Sequence, residues 1–149
     1  MGVIEGGTRP NVVAERCRYE LDLRAATASE FATADAELRR VLAAPAVEGV
    51  TAEIRRIAAH QPMEKSVATG RLADLAIAIA AEIGFELHDA ATGGASDANT
   101  TAGAGLPTLD GLGPIGGDDH SADEWLDLSS VIPRTTLLAA LIALAGDAL

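Results

Sequence analysis

Residues 11–43 read Asn11-Val-Val-Ala-Glu-Arg-Cys17-Arg-Tyr-Glu-Leu-Asp-Leu-Arg24-Ala-Ala-Thr27-Ala-Ser-Glu30-Phe-Ala-Thr-Ala-Asp-Ala-Glu-Leu38-Arg-Arg-Val-Leu-Ala43, and their period changes in mid-course. In the first part Val13, Cys17, Tyr19, Leu21 and Leu23 alternate with Arg16, Arg18, Glu20, Asp22 and Arg24. A period of two predicts an antiparallel strand over Asn11–Ala25 with one buried and one wet face, and Cys17 falls on the buried phase as a small core residue. Thr27 then stands at the capping-box distance from Glu30, and Phe31, Ala34, Leu38, Val41 and Leu42 recur at helical spacing. That predicts a helix from Ala28 to Ala43.

Working outward, Gly6-Gly7 and Pro10 turn the chain from a short upstream strand, Gly2–Glu5, into the alternating one. Downstream, Pro45 and Gly49 precede Val50–Ala59, where Val50, Ala52 and Ile54 alternate with polar residues until the phase slips at Arg56-Ile57. A third, bulged strand is expected there. Three strands under one amphipathic helix make an α+β lobe with an open edge, marginal by itself. From Ser66 to Ile83 an alanine-rich helix carries Leu72, Leu75, Ile79 and Ile83 on one face and Ile77 on another, which predicts burial on more than one side. Residues 92–117 are crowded with glycine, a texture suited to backbone held close to a ligand. Ser129 or Ser130 is expected to cap a last helix through Leu144, with Pro133 in its first turn and Leu137, Leu138, Leu141 and Ile142 on its apolar face. The boundary between the two lobes is placed at Gln61–Lys65.

The 149 residues are 48% apolar and 22% charged, which excludes disorder as the main description. Eleven Lys and Arg against 22 Asp and Glu give a formal charge of −11 and a pI near 4.5. Such a field repels nucleic acid and anionic membrane surfaces, so neither is an expected partner. The C-terminal apolar run Leu137–Ala145 is about half of the ~20 residues a bilayer needs, and no transmembrane helix is expected. Cys17 is the sole cysteine and no signal peptide is legible, which points to a reducing compartment, the cytoplasm.

Among residues with chemistry, His120 lies in Gly-Gly-Asp-Asp-His-Ser-Ala-Asp-Glu directly after the glycine-rich stretch. A neutral imidazole there suits a divalent metal, with nearby carboxylates as outer partners; an incidental histidine in a solvated acidic loop fits the local sequence too. His60 and His88 have no ligand-like companion at helical spacing and read as structural or surface residues. Gly93-Gly-Ala-Ser-Asp97 reads as a turn feeding a short helix capped by Ser96 or Asp97, either an anion site or a turn with a good cap. Arg24, on the polar face of its strand, is either a bidentate clamp for a substrate carboxylate or a solvated strand arginine.

Five segments taken in order carry a resemblance: Gly6-Gly-Thr-Arg-Pro-Asn-Val-Val-Ala-Glu15, Pro62-Met-Glu64, Thr92-Gly-Gly-Ala-Ser-Asp-Ala-Asn99, Pro107-Thr-Leu-Asp-Gly-Leu-Gly113 and His120-Ser-Ala-Asp-Glu124. Together they resemble the zinc exopeptidase and deacylase family of carboxypeptidase G-type glutamate carboxypeptidases, acetylornithine deacetylase and succinyl-diaminopimelate desuccinylase, closest to the carboxypeptidase G branch. The resemblance implies an α/β chain: residues 1–61 as part of an α+β lid and dimerisation domain, and residues 62–149 as the C-terminal part of a phosphorylase/hydrolase-like zinc exopeptidase domain. It implies two zinc ions in the whole enzyme, with cobalt or manganese as substitutes, a small peptide or N-acyl amino acid as substrate, and a homodimer through the lid. By motif position His120 resembles the last zinc ligand, Asn11 and Arg24 resemble lid residues that hold the substrate carboxylate, and Gly94, Ala95 and Ser96 resemble the loop lining the same pocket. Thr100, where an aromatic residue is frequent, and the acidic pair Asp118-Asp119 depart from the pattern and bear on substrate preference.

The family's other metal ligands and its Glu-Glu general base have no counterpart in these residues, where no His-x-Asp segment and no Glu-Glu pair occurs. The expectation is a piece of a longer hydrolase, or a truncated product, with no catalytic residue of its own and inactive alone. The alternative is a non-catalytic dimerisation or interaction module.

Overall fold

The computed structural model describes residues 2–148, with side chains to Gly146, as two compact units, Met1–Ala58 and Ala59–Leu149. Helix and sheet are mixed in both, compatible with a piece of an α/β protein.

In the first unit, strands β1 (Val3–Gly6) and β2 (Cys17–Glu20) pair antiparallel with Ile4 opposite Tyr19 and Gly6 opposite Cys17. The expected strand over Asn11–Ala25 is thus cut to four residues, because only the stretch facing β1 finds ladder partners. Arg9–Val12 instead closes a turn, the Val12 N–H donating to the Arg9 carbonyl at 3.3 Å. Cys17 is exposed, not a core residue. Helix α1 (Ala28–Ala43) has the expected bounds, and the capping box is complete: Thr27 Oγ1 accepts the Glu30 N–H at 3.2 Å while the Glu30 carboxylate accepts the Thr27 N–H at 3.1 Å.

The third strand expected at Val50–Ala59 does not form, so the unit holds a two-stranded hairpin and not a three-stranded sheet. Alternation alone supplies no partner for a strand's N–H and C=O groups. Arg56, where the phase slips, docks on α1 instead, its Nη2 donating to Asp35 Oδ1 at 3.0 Å with the guanidinium 5.8 Å from the Phe31 ring centre. No described residue of this unit is buried.

The second unit is built on α2 (Val67–Ile83) and α4 (Val131–Ala148). Ser66 caps α2, accepting the Thr69 N–H at 3.0 Å. Leu72, Ala73, Ala76 and Ala80 of α2 are buried, as are Leu137 and Leu141 of α4, with Leu137 and Ala80 at 0% exposure. Small residues on α2 let the leucines of α4 approach closely. Ile77, expected to be buried on a second side, is 36% exposed.

The expected Ser cap at the last helix is corrected. Asp127 caps a 3-10 turn, Leu128–Ser130, by accepting the Ser129 N–H at 2.9 Å, and α4 continues from it beyond Leu144. Buried Ser130 takes another task, its Oγ accepting the Ile115 N–H at 2.8 Å. Leu128–Gly146 is 19 residues long with mean hydropathy 1.7, so length and composition would suit a membrane span, contrary to the shorter count made on Leu137–Ala145. Its buried leucines are nonetheless spent against α2.

Between the helices lie α3 (Ala98–Gly103) and a two-residue antiparallel pair, β3 (Gly116–Gly117) with β4 (Trp125–Leu126). Gly117 packs under a ring: a Cβ there would lie 2.8 Å from the Trp125 indole nitrogen, so the ring or the backbone would have to shift. At this end of the glycine-rich stretch it is an aromatic ring that approaches the backbone.

Candidate functional site

Ser96 is the knot of the loop before α3. Its Oγ donates to Asp110 Oδ2 at 2.6 Å and accepts the Ala98 N–H at 3.1 Å, while its N–H donates to Asn99 Oδ1 at 2.9 Å. Of the two expected caps, Ser96 therefore supplies the side-chain bond and Asp97 supplies none. Asn99 is buried, and its Nδ2 donates to the Gln61 carbonyl at 2.8 Å. Thr108 closes the far side, donating its N–H to Thr69 Oγ1 of α2 at 3.4 Å. Gly94 and Ala95, just before this knot, are exposed.

His120 sits in the connection from β3 to β4, exposed, with φ at 66°. The Ser121 N–H donates to the Asp118 carbonyl at 3.1 Å across this turn, and Asp118 is also left-handed, φ 57°. Asp and His enter that region more readily than bulky or branched residues do. No group of three or more His, Cys, Asp or Glu side chains suited to hold a metal occurs among the described residues.

Asn11 and Arg24 belong to the first unit. Asn11 is exposed in the Arg9–Val12 turn. Arg24 lies past the end of β2, not on a strand face, and its Nε and Nη2 donate to Asp22 Oδ2 at 2.8 and 2.5 Å. That hydrogen bonding holds the Asp22 carboxyl below its ordinary range and raises Arg24 above its own. Of the expected site residues, then, Gly94, Ala95 and Ser96 form one loop, His120 lies in a separate turn of the same unit, and the other two lie on the first unit.

A cavity of about 410 Å³ lies elsewhere, between α2 and α4, lined by Ile79, Ile83, Ala140 and Leu144 among others. Its walls are mainly apolar, with Glu82 and Thr136 the polar side chains on them, so the loop and not this groove is the chemical candidate.

Sequence reasoning passed over Asn99, Asp110 and Gln61. Asn99 and Asp110 stand inside motifs already singled out, and a polar residue there was the available signal. Gln61 had none, being bonded through its backbone across 38 positions.

The model of Peptidase family M20/M25/M40 matches residues 2–144. The chain belongs to this family. No curated protein and no solved structure matches it. The peptidase family makes the chain a hydrolase in class, and enzymes of the family are generally metal-dependent. The described residues do not by themselves fit a metal centre: His120 offers one donor, whereas a catalytic site of this kind takes three or more.

Proposed function

We propose that this chain is part of a metal-dependent amide hydrolase that acts beside a free carboxylate. Within it, the chain supplies the wall that holds the carboxylate and one metal ligand. The observation that carries this reading is the Ser96 knot, which anchors one end of the exposed Gly94-Ala95 backbone in a chain of peptidase-family sequence. Backbone N–H groups beside an anchored residue suit a carboxylate, because little reorganisation is needed to receive it. Arg24 and Asn11 of the first unit are assigned to the same carboxylate, and His120 to zinc, for which cobalt or manganese can substitute. The substrate is a small peptide or N-acyl amino acid of the kind that glutamate carboxypeptidases and amino-acid deacylases take. The chain alone is inactive, since a water-activating metal pair and a general base need more donors than it offers.

A homodimer through the first unit belongs to this proposal. The β1–β2 hairpin supports it, with Ile4 66% exposed and no third strand beside it among the described residues. Residues 1–61 then act as the lid and dimerisation part and 62–149 as the catalytic part, in the cytoplasm and without nucleic acid or membrane. The test is an NMR titration of the chain with N-acetyl-L-glutamate, alongside an amidase assay with zinc or cobalt added. Shifts at the Gly94, Ala95 and Ser96 amides with no turnover above background are expected. An unperturbed loop would remove the carboxylate wall, and turnover at about 1 s⁻¹ or faster would remove the claim of inactivity.

A further inference from the structure

The bonds of Asn99 reach in two directions, and only one of them serves the loop. Its Oδ1 fixes the Ser96 N–H, while its Nδ2 fixes the carbonyl of Gln61, which stands two positions after Ala59, where the second unit begins. Gln61 is held from a second side as well. A Cβ at Gly103 would lie 3.0 Å from Gln61 Cβ and 3.2 Å from Cγ, so α3 lies as close to this residue as a glycine permits. The buried amide thus spends both ends on backbone groups 35 positions apart in sequence: the bond to Ser96 closes the start of α3 in the manner of a capping box, and the bond to Gln61 lies outside that helix. A buried, doubly bonded amide has one low-energy setting, since turning it would place N–H against N–H and oxygen against carbonyl.

We propose that Asn99 is a positioning residue, a latch that fixes the setting of the Gly93–Ser96 loop to the point where the chain enters the second unit. What the loop then holds rests on the function proposed above; the latch itself does not. Coupling of this kind is reciprocal, so moving Gln61 must loosen Ser96 just as removing Asn99 loosens both.

Hydrogen exchange on the 149-residue chain, with no substrate present, reads the latch separately from any binding or activity. In Asn99→Ala, the Ser96 amide is expected to exchange about fivefold to tenfold faster, as for the loss of one hydrogen bond, and proteolytic cutting at 58–63 to rise with it. Asn99→Asp, which keeps an acceptor but has no donor, restores protection at Ser96 and not at 58–63. The deciding variant is Gly103→Ala, whose added Cβ presses on Gln61 Cβ and Cγ and leaves Asn99 unchanged. Helix propensity alone predicts slower exchange around α3, because alanine favours helix over glycine; the latch predicts faster exchange at Ser96. Protection across Leu72–Ala80 reports that each variant is folded. Unchanged or slower exchange at Ser96 in Gly103→Ala overturns the proposal, as does loosening of Ser96 in Asn99→Ala without loosening at 58–63.

Discussion

The Arg134 guanidinium lies over the Phe85 ring, 5.5 Å from its centre, with Nε and Nη1 buried and without a hydrogen-bond partner. Two orphaned donors cost more than the stacking returns, since an unsatisfied buried group costs about 1–3 kcal/mol and a cation–π contact contributes about 0.5–1. Arg134→Met keeps the length and removes the donors. Urea denaturation should show the variant more stable by about 1 kcal/mol, and a loss of stability would mean that the stacking outweighs the orphaned groups.

Leu137 is fully buried against Ala76 of α2, in the only extensive apolar cluster of the second unit among the described residues. Leu137→Ala should destabilise this unit by about 3 kcal/mol, from lost transfer energy and the cavity left behind. Trp125 fluorescence during unfolding checks this, and a cost under about 1 kcal/mol would show that the helices close over the gap.

Acid should act on the start of α4. The Ser129 hydroxyl and N–H donate to Asp127 and hold its carboxyl below the ordinary range. A carboxyl depressed in the folded state contributes its stability above its unfolded value of about 3.9 and loses it as pH falls through the folded value. Protection of the Ser129 amide, its exchange taken relative to the intrinsic rate at each pH, should therefore fall below about pH 4, and Asp127→Asn, which keeps the acceptor without the charge, should flatten that dependence.

Asp22 and a substrate carboxylate would compete for one guanidinium. If Arg24 serves the proposed substrate, Asp22→Asn should tighten binding of N-acetyl-L-glutamate several-fold by calorimetry, and Arg24→Ala should weaken it. Equal affinity in all three proteins would return Arg24 to an intramolecular ion pair with no ligand.

The helices α1 and α2 were legible because their signals are local: Thr27 with Glu30, and Ser66 ahead of an apolar stripe, lie within one turn of what they cap. Strands were legible only as tendency. Residues 11–25 and 50–59 both alternate, yet four of those residues pair, because a ladder needs a second strand in register and β1 offers four positions. The glycine-rich loop was legible as special backbone. What fixes it was not: Asp110 and the Gln61 carbonyl come to Ser96 and Asn99 from 14 and 38 positions away, and nothing in a local pattern records such a distance.

The outward side of the last helix and of the 3-10 turn that leads into it decides how the protein behaves in a tube. Leu128, Ile132 and Ile142 are each more than three-quarters exposed, on a molecule with a formal charge of −11. Mutual repulsion is what keeps such greasy ridges apart in solution. Near pH 4.5 the repulsion vanishes, and in concentrated ammonium sulfate it is screened while apolar contact is strengthened. The chain should precipitate early in both, bind phenyl resin tightly, and stay clear in dilute buffer at neutral pH.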